Sequence, residues 1–267
     1  MKTLHFKGED PYKLAKKSIA IVGSRRMIRY GAEVVDKFVS AFVSEGVTTI
    51  SGFMYGVDTE VHQKTVDYGG RTIAVFGCGL NVIYPPENKK LYDEIIKNGG
   101  SIVSEYEDDA KPHLWKFPQR NKIVASLSSL GVLVVEAGDK SGSLITVELA
   151  RKMKKKVYAV PGPITSRVSV GCNELIRSGK AEMVTDAYQI LGKSSHFVRS
   201  TSLRTSRDKP ELIGLENKIY NALQNEGLNA DEIAAQTGEN IVEISKTVSL
   251  MAIKGIITES GGKYWAN

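Results

Sequence analysis

Short apolar runs and helical patterns take turns along most of this chain. The runs cover residues 18–22, 47–50, 71–76, 101–103, 132–135, 156–160 and 182–184. Between them lie segments of helical periodicity, among them 32–44, 60–68, 88–98, 144–153 and 174–178. Strands separated by helices become parallel neighbours joined by right-handed crossovers. Val132-Leu-Val-Val135 is apolar without alternation, the pattern of a strand covered on both faces. The expected fold is α/β: a doubly wound, mostly parallel, Rossmann-like sheet. Such sheets bind ligands at the carboxyl ends of their strands, where strand order reverses. The loops that follow strands are therefore the place to look for chemistry.

The first run ends in Gly23-Ser24-Arg25-Arg26, and a helical pattern starts near Gly31. Backbone N–H groups at such a turn, beside two guanidinium groups, form an anion site, and phosphate is the expected anion. The same residues also read as a strand end with two solvated arginines. Ser51-Gly52-Phe53 opens the next loop, Gly77-Cys-Gly79 the third, and Glu136-Ala-Gly-Asp-Lys-Ser141-Gly142-Ser143 the loop after the fifth run. Ser141, Gly142 and Ser143 precede a helix and offer N–H groups and hydroxyls to phosphate oxygens. Several such loops on one sheet edge predict a phosphate-tracking groove. Phe117-Pro-Gln-Arg120-Asn121-Lys122 reads as a loop carrying an aromatic ring, a guanidinium and an ammonium. Beside a groove, Arg120 and Lys122 suit backbone contacts and Phe117 suits base stacking. Phe53 suits stacking and a core position equally.

The rest of the sequence narrows the function class. The 267 residues carry a net charge of +6. Residues 211–267 hold four lysines and eight acidic residues, a net −4, which leaves +10 on residues 1–210. A basic body points to a polyanionic partner. No apolar run is long enough to span a bilayer, and no membrane role is expected. The opening residues lack a signal-peptide core, and Cys78 and Cys172 form no ligand spacing or disulfide framework, so a reducing cytoplasm is the expected compartment. Gly77-Cys-Gly79 lacks the third glycine and the ribose-binding acid of a dinucleotide site, and no cofactor is expected. Asp58 and His62 are spaced for a metal pair but have no third ligand. Asp58 reads better as a helix N-cap and His62 as a packed residue, so no metal site is expected. Glu136 and Glu148 are the carboxylates nearest the mouth. No nucleophile–base set emerges, and no catalytic residue is assigned.

Residues 1–17 read as a short extension, 18–195 as the Rossmann-like domain that carries the phosphate groove, and 196–210 as a basic, polar linker. Residues 211–267 show helical patterns at 215–224, 229–238 and 241–254, then strands at 256–258 and 263–265 around Ser260-Gly-Gly262. Three helices and a terminal hairpin make a winged helix. Its net negative charge opposes phosphate, so a protein-contact or self-association role is expected.

The chain resembles the DNA-processing protein A family (DprA, also called Smf). The resemblance rests on Ile21-Val-Gly-Ser-Arg25, Tyr30-Gly31, Ser51-Gly52 with Gly56-Val-Asp58 and His62, and Gly69-Gly-Arg-Thr-Ile-Ala-Val75. It continues through Ser104-Glu-Tyr106, Phe117-Pro-Gln-Arg-Asn-Lys-Ile123, Val135-Glu-Ala137, Ser141-Gly-Ser-Leu-Ile-Thr146 and Val160-Pro-Gly162. The motifs occur in order from Leu14 to Leu191. It implies a homodimer that binds single-stranded DNA, protects incoming strands and loads the RecA recombinase during natural transformation or recombination. It places the backbone pocket on Gly23, Ser24, Arg25, Ser51, Gly52, Phe53, Arg120, Asn121, Lys122, Ser141, Gly142 and Ser143, with Arg26 next in line. Two positions depart from the family pattern: Met54 stands where a small residue is usual, and Lys122 where Arg is common. On this basis both Arg25→Ala and Lys122→Ala should weaken binding and its salt dependence. The related LOG group of nucleoside-monophosphate phosphoribohydrolases offers a second reading, since Thr146 and Glu148 fit its glycine-rich motif although the glycines are largely replaced. A nucleotide-sensing module without turnover is a third.

Overall fold

The computed structural model describes residues 4–192, 214–224, 226–253 and 256–266. The chain divides into two compact units, residues 1–197 and 198–267. The linker assigned to residues 196–210 lies outside the described residues.

The first unit is built on an eight-stranded sheet. Its strands are β1 (His5–Gly8), β2 (Ser18–Val22), β3 (Thr48–Ser51), β4 (Thr72–Val75), β5 (Ser101–Ser104), β6 (Val132–Val134), β7 (Val157–Ala159) and β8 (Glu182–Met183). They lie in the order β1-β5-β4-β3-β2-β6-β7-β8. All neighbours are parallel except β1, which runs antiparallel to β5 with His5 opposite Ser104. The first unit's helices are α1 (Pro11–Leu14), α2 (Arg29–Ser44), α3 (Val57–Asp67), α4 (Lys89–Lys97), α5 (Lys116–Leu127), α6 (Ser143–Lys152), α7 (Val170–Arg177) and α8 (Ala187–Ile190). The doubly wound, mostly parallel α/β architecture expected from the alternating pattern is the one observed.

The strand pleat divides the core. Ile19 and Ile21 of β2 face one side and pack with Val35, Phe38 and Phe42 of α2 and Val57 and Val61 of α3. Ala20 and Val22 face the other and pack with Ile123 and Val124 of α5 and Val147 of α6. Toward the β5 edge, Phe53, Phe76 and Ile102 pack with Leu91, Tyr92 and Ile95 of α4. Burial of each of the Val, Leu, Ile and Phe side chains among these contributes about 1.5–3 kcal/mol. The sheet is therefore held from both faces, as the unbroken apolar strands require.

Three local readings change. Residues 1–17 precede no first strand; they contain β1, which caps the β5 edge. Residues 117–122, read as a loop, are helical. Pro118 is the third residue of α5, where an N–H would have no intrahelical acceptor, so this proline is accommodated in the first turn. Asp58 is not the N-cap of α3; that position is Gly56, and Asp58 lies inside the first turn.

The second unit contains α9 (Leu215–Ala222), α10 (Ala230–Thr237), α11 (Ile241–Ile253), and the antiparallel pair β9 (Ile257–Ser260) and β10 (Lys263–Ala266). Asn229 and Glu232 form a capping box at the start of α10, and Gly238 ends that helix in the left-handed conformation. Ile219, Leu223, Ile233, Ile244, Val248 and Met251 form its core. Among the described residues, no helix is long and apolar enough to cross a membrane.

Candidate functional site

The strand order reverses between β2 and β6, which pair through Ala20 and Val132. The loops after these two strands and after β3 open a cleft of about 600 Å³. Its walls include Gly23, Ser24, Arg25, Arg26 and Gly52, then Phe117, Arg120 and Asn121 of α5, and Ser141, Gly142 and Ser143 at the start of α6. Lys140 and Arg167 also line it, so five cations face two acids, Asp58 and Asp139.

Several helices start near this crevice, and the N-termini of α2, α3 and α6 differ in electrostatics. At α2, the buried Glu136 carboxylate accepts the Ile28 N–H at 3.2 Å. Gly31 has no side chain where the Glu136 carboxyl group approaches; a Cβ there would collide with it. Burial raises the Glu136 pKa, opposed by hydrogen bonds from the Ile28 and Gly31 amides. The amides at the start of α2 thus have a partner within the chain, and Arg25 and Arg26 are the exposed groups of the preceding turn. At α3, Asp58 accepts the Met54 N–H at 3.3 Å and the Ser51 hydroxyl at 3.0 Å. Burial raises its pKa, while Arg120 and Arg25 oppose the rise. At α6 no carboxylate stands in the first turn. Ser141 and Ser143 share a hydroxyl contact of 2.8 Å, and the Asn121 side-chain amide donates to Gly142 O at 3.4 Å. Of the three, α6 is the N-terminus left for an external anion.

The side chains named from sequence separate into two groups. Arg25 and Arg26 are exposed at the rim. Arg25 lies over the Phe117 ring, 5.6 Å from its centroid, and Phe117 also packs on Tyr84 at 5.7 Å. The Ser24 hydroxyl accepts the Arg26 N–H at 3.0 Å and fixes the turn. Arg25 and Arg26 can meet a phosphate, whereas the Phe117 ring, 7% exposed and covered by Arg25 and Tyr84, is packed and does not offer the expected base-stacking face.

Four others do structural work. Arg120 is buried beneath the cleft and donates to Gly52 O and Val75 O. Burial pushes its pKa down to about 10, with Asp58 opposing the fall, so it stays charged at neutral pH. Gly52 is required there, because a Cβ would strike Asp58 and the Arg120 guanidinium. Ser51 is buried and donates to Ile21 O at 2.6 Å. Phe53 is 1% exposed and lies 4.9 Å from Phe76, which removes it from base stacking. Its φ of 69° is a left-handed value for a non-glycine residue, held by that packing. Lys122 is absent from the cleft walls and pairs at 2.9 Å with Glu105, whose side chain is 1% exposed. Lys122, whose side chain is 42% exposed, is thus engaged by an ion pair with Glu105 and does not stand on the cleft wall. His62 is buried against Phe53 and hydrogen-bonds Thr72 Oγ1 at 2.8 Å, and burial lowers its pKa to about 3.

Residues 2–195 match the profile described as DNA recombination-mediator protein A. The chain belongs to that family. DNA processing protein DprA of Streptococcus pneumoniae is 41% identical over 191 residues, covering 71% of this chain and 66% of that protein. Protein Smf of Escherichia coli is 36% identical over 227 residues, covering 85% and 58%. The chain thus spans less than two thirds of the length of the Escherichia coli protein. The crystal structure of the pneumococcal DprA aligns with a TM-score of 0.65 over 71% of this chain and 65% of that one. DNA processing protein A of Helicobacter pylori, whose structure describes its single-stranded DNA binding mode, aligns at 0.64 with 32% identity over 72% and 86%. Within this family frame, the sequence reading missed Lys140 and Arg167. Lys140 stood in a loop already singled out. Arg167 follows Pro161-Gly-Pro163, and only the turn of that loop brings it back to the cleft.

Proposed function

We propose that the cleft binds the sugar–phosphate backbone of single-stranded DNA, and that the protein is a non-enzymatic recombination mediator. It protects incoming or processed strands and helps load the RecA recombinase in recombination and natural transformation, acting as a cytoplasmic homodimer. The observation that carries this reading is the α6 N-terminus, with no carboxylate in its first turn, at a cleft that Arg25, Arg26, Lys140 and Arg167 also line. Backbone recognition of this kind is tolerant of sequence and sensitive to salt. The second unit reads as a winged helix with a net charge of −4 across residues 211–267, which suits a protein contact better than a phosphate contact.

Nucleotide hydrolysis is disfavoured by Glu148. It pairs with Arg151 at 3.6 Å and lines a smaller groove with Glu174 and Lys180, which adjoins the main cleft at Asp139, and it is not among the main cleft's walls.

The test is fluorescence anisotropy of a labelled oligo-dT across a salt series, competed by duplex of equal length and by AMP. Binding that falls with salt and resists both competitors is expected. Competition by AMP at modest concentration would move the assignment to a nucleotide pocket.

A further inference from the structure

Leu114 and Trp115 stand just before α5 and are 86% and 60% exposed. Soluble proteins seldom leave two such side chains adjacent on the surface without a use. The indole has a defined setting. Its plane meets Tyr106 edge-on at 82° and 6.3 Å, and it lies within 9° of parallel to the His113 ring at 6.3 Å. Lys116 Nζ is 5.7 Å from the indole centroid and 4.7 Å from that of Tyr106. Lys116 is itself buried and donates to Lys111 O at 2.7 Å, and the Tyr106 hydroxyl donates to Gln119 Oε1 at 2.9 Å. The result is an oriented aromatic platform, whose side-chain entropy is already largely spent before anything binds.

Its position decides its occupant. Phe117 and Pro118, two and three residues further on, line the cleft. At about 1.5 Å of rise per residue, Trp115 lies within roughly 5 Å of Pro118 along the α5 axis. A strand leaving the cleft at this end meets the platform next. Glu107, Asp108 and Asp109 in the same loop outnumber Lys111 and Lys116, so the platform offers no net positive charge to a phosphate and its ring face is the suitable group. We propose that Trp115, flanked by Leu114, stacks the nucleobase of the nucleotide immediately outside the cleft. This rests on the single-strand reading of the cleft and adds a base contact to a site otherwise made for phosphate.

The chain has two tryptophans, so Trp265→Phe leaves Trp115 as the sole indole reporter. In that background, oligo-dT should quench Trp115 emission along the same curve as the anisotropy of the labelled strand. An abasic oligomer of equal length, with the same phosphates and no bases, should compete through charge and leave the emission unchanged. Trp115→Ala should weaken oligo-dT binding about tenfold, the scale of one lost base–aromatic stack, without changing the salt slope, and Trp115→Phe should keep most of the affinity. Binding with unchanged emission and unchanged Trp115→Ala affinity would overturn the platform and leave the cleft reading standing. A change in sedimentation but not in DNA affinity for Trp115→Ala would overturn it in favour of a contact between copies. Absence of oligo-dT binding by the unaltered chain would overturn both.

Discussion

Arg120 and Lys122 stand two residues apart on α5 and have opposite fates, one beneath the cleft and one paired with Glu105. That contrast is testable with Arg25. Arg25→Ala should lower the slope of log K against log salt by about 0.7, the value for one phosphate contact on a single strand. Lys122→Ala should leave the slope unchanged and instead destabilise the fold by about 1–2 kcal/mol, read as a lower Tm, because it leaves the Glu105 carboxylate buried without its cation. A lost slope unit in Lys122→Ala would return that residue to the cleft. His62 gives a pH signature. Its folded pKa of about 3 lies below the ordinary value of 6.5, so the unfolded chain binds the proton first. The contribution is fully present above pH 6.5 and is lost as pH falls toward 3, at about 1.4 kcal/mol per pH unit. His62→Gln should flatten this part of the acid limb in denaturant titrations at pH 4–6.5, whatever its effect at neutral pH. Arg25 and Arg26 were readable because a strand end followed by polar residues is a local pattern. The partner of Lys122 was not, since Glu105 follows a different strand. Phe53 was ambiguous for a similar reason: a lone aromatic after Gly52 carries no periodicity to say which way it turns.

At the scale of elements, the helix starts carry the argument. α2 and α3 are each served by the chain's own carboxylate, whereas α6 begins with Gly142 and no side-chain cap. Gly142 has ordinary helical φ and open space around a Cβ, so an acid can be placed there without strain. Gly142→Asp should therefore raise stability by about 0.3–1 kcal/mol through the helix dipole while weakening oligo-dT binding at least tenfold. Thermal melts and anisotropy would report opposite signs. Equal or improved DNA binding would remove α6 from the anion site. The βα alternation was legible in the apolar runs, and seven of the eight strands follow from it. β1 escaped because four half-exposed residues, with Phe6 facing outward, give little hydrophobic signal. α5 escaped because a proline among polar and charged residues over 116–122 gives little helical signal, although Pro118 in the first turn is compatible with a helix.

At the scale of the whole molecule, charge is segregated along the chain: +10 on residues 1–210 and −4 on residues 211–267. The basic part contains every wall of the cleft, and the acidic part has its own core around Ile219, Ile233 and Val248. The location of the cleft followed from sheet topology, since the reversal point of a doubly wound sheet could be inferred once the strands were in order. Which helix start lacks a carboxylate of its own could not be inferred, because that depended on where Glu136 and Asp58 turn. The central pairing of β2 with β6 has a further consequence for how the molecule is made. Ala20 waits for Val132 before the sheet can close at its middle, and the loops bearing Ser24 and Ser141 face each other only after that. Contacts so distant in sequence form late. During synthesis the growing polypeptide thus carries Arg25 and Arg26 without a complete cleft around them until Arg167 has left the ribosome, so that the cleft is closed all at once, late in translation of the first unit.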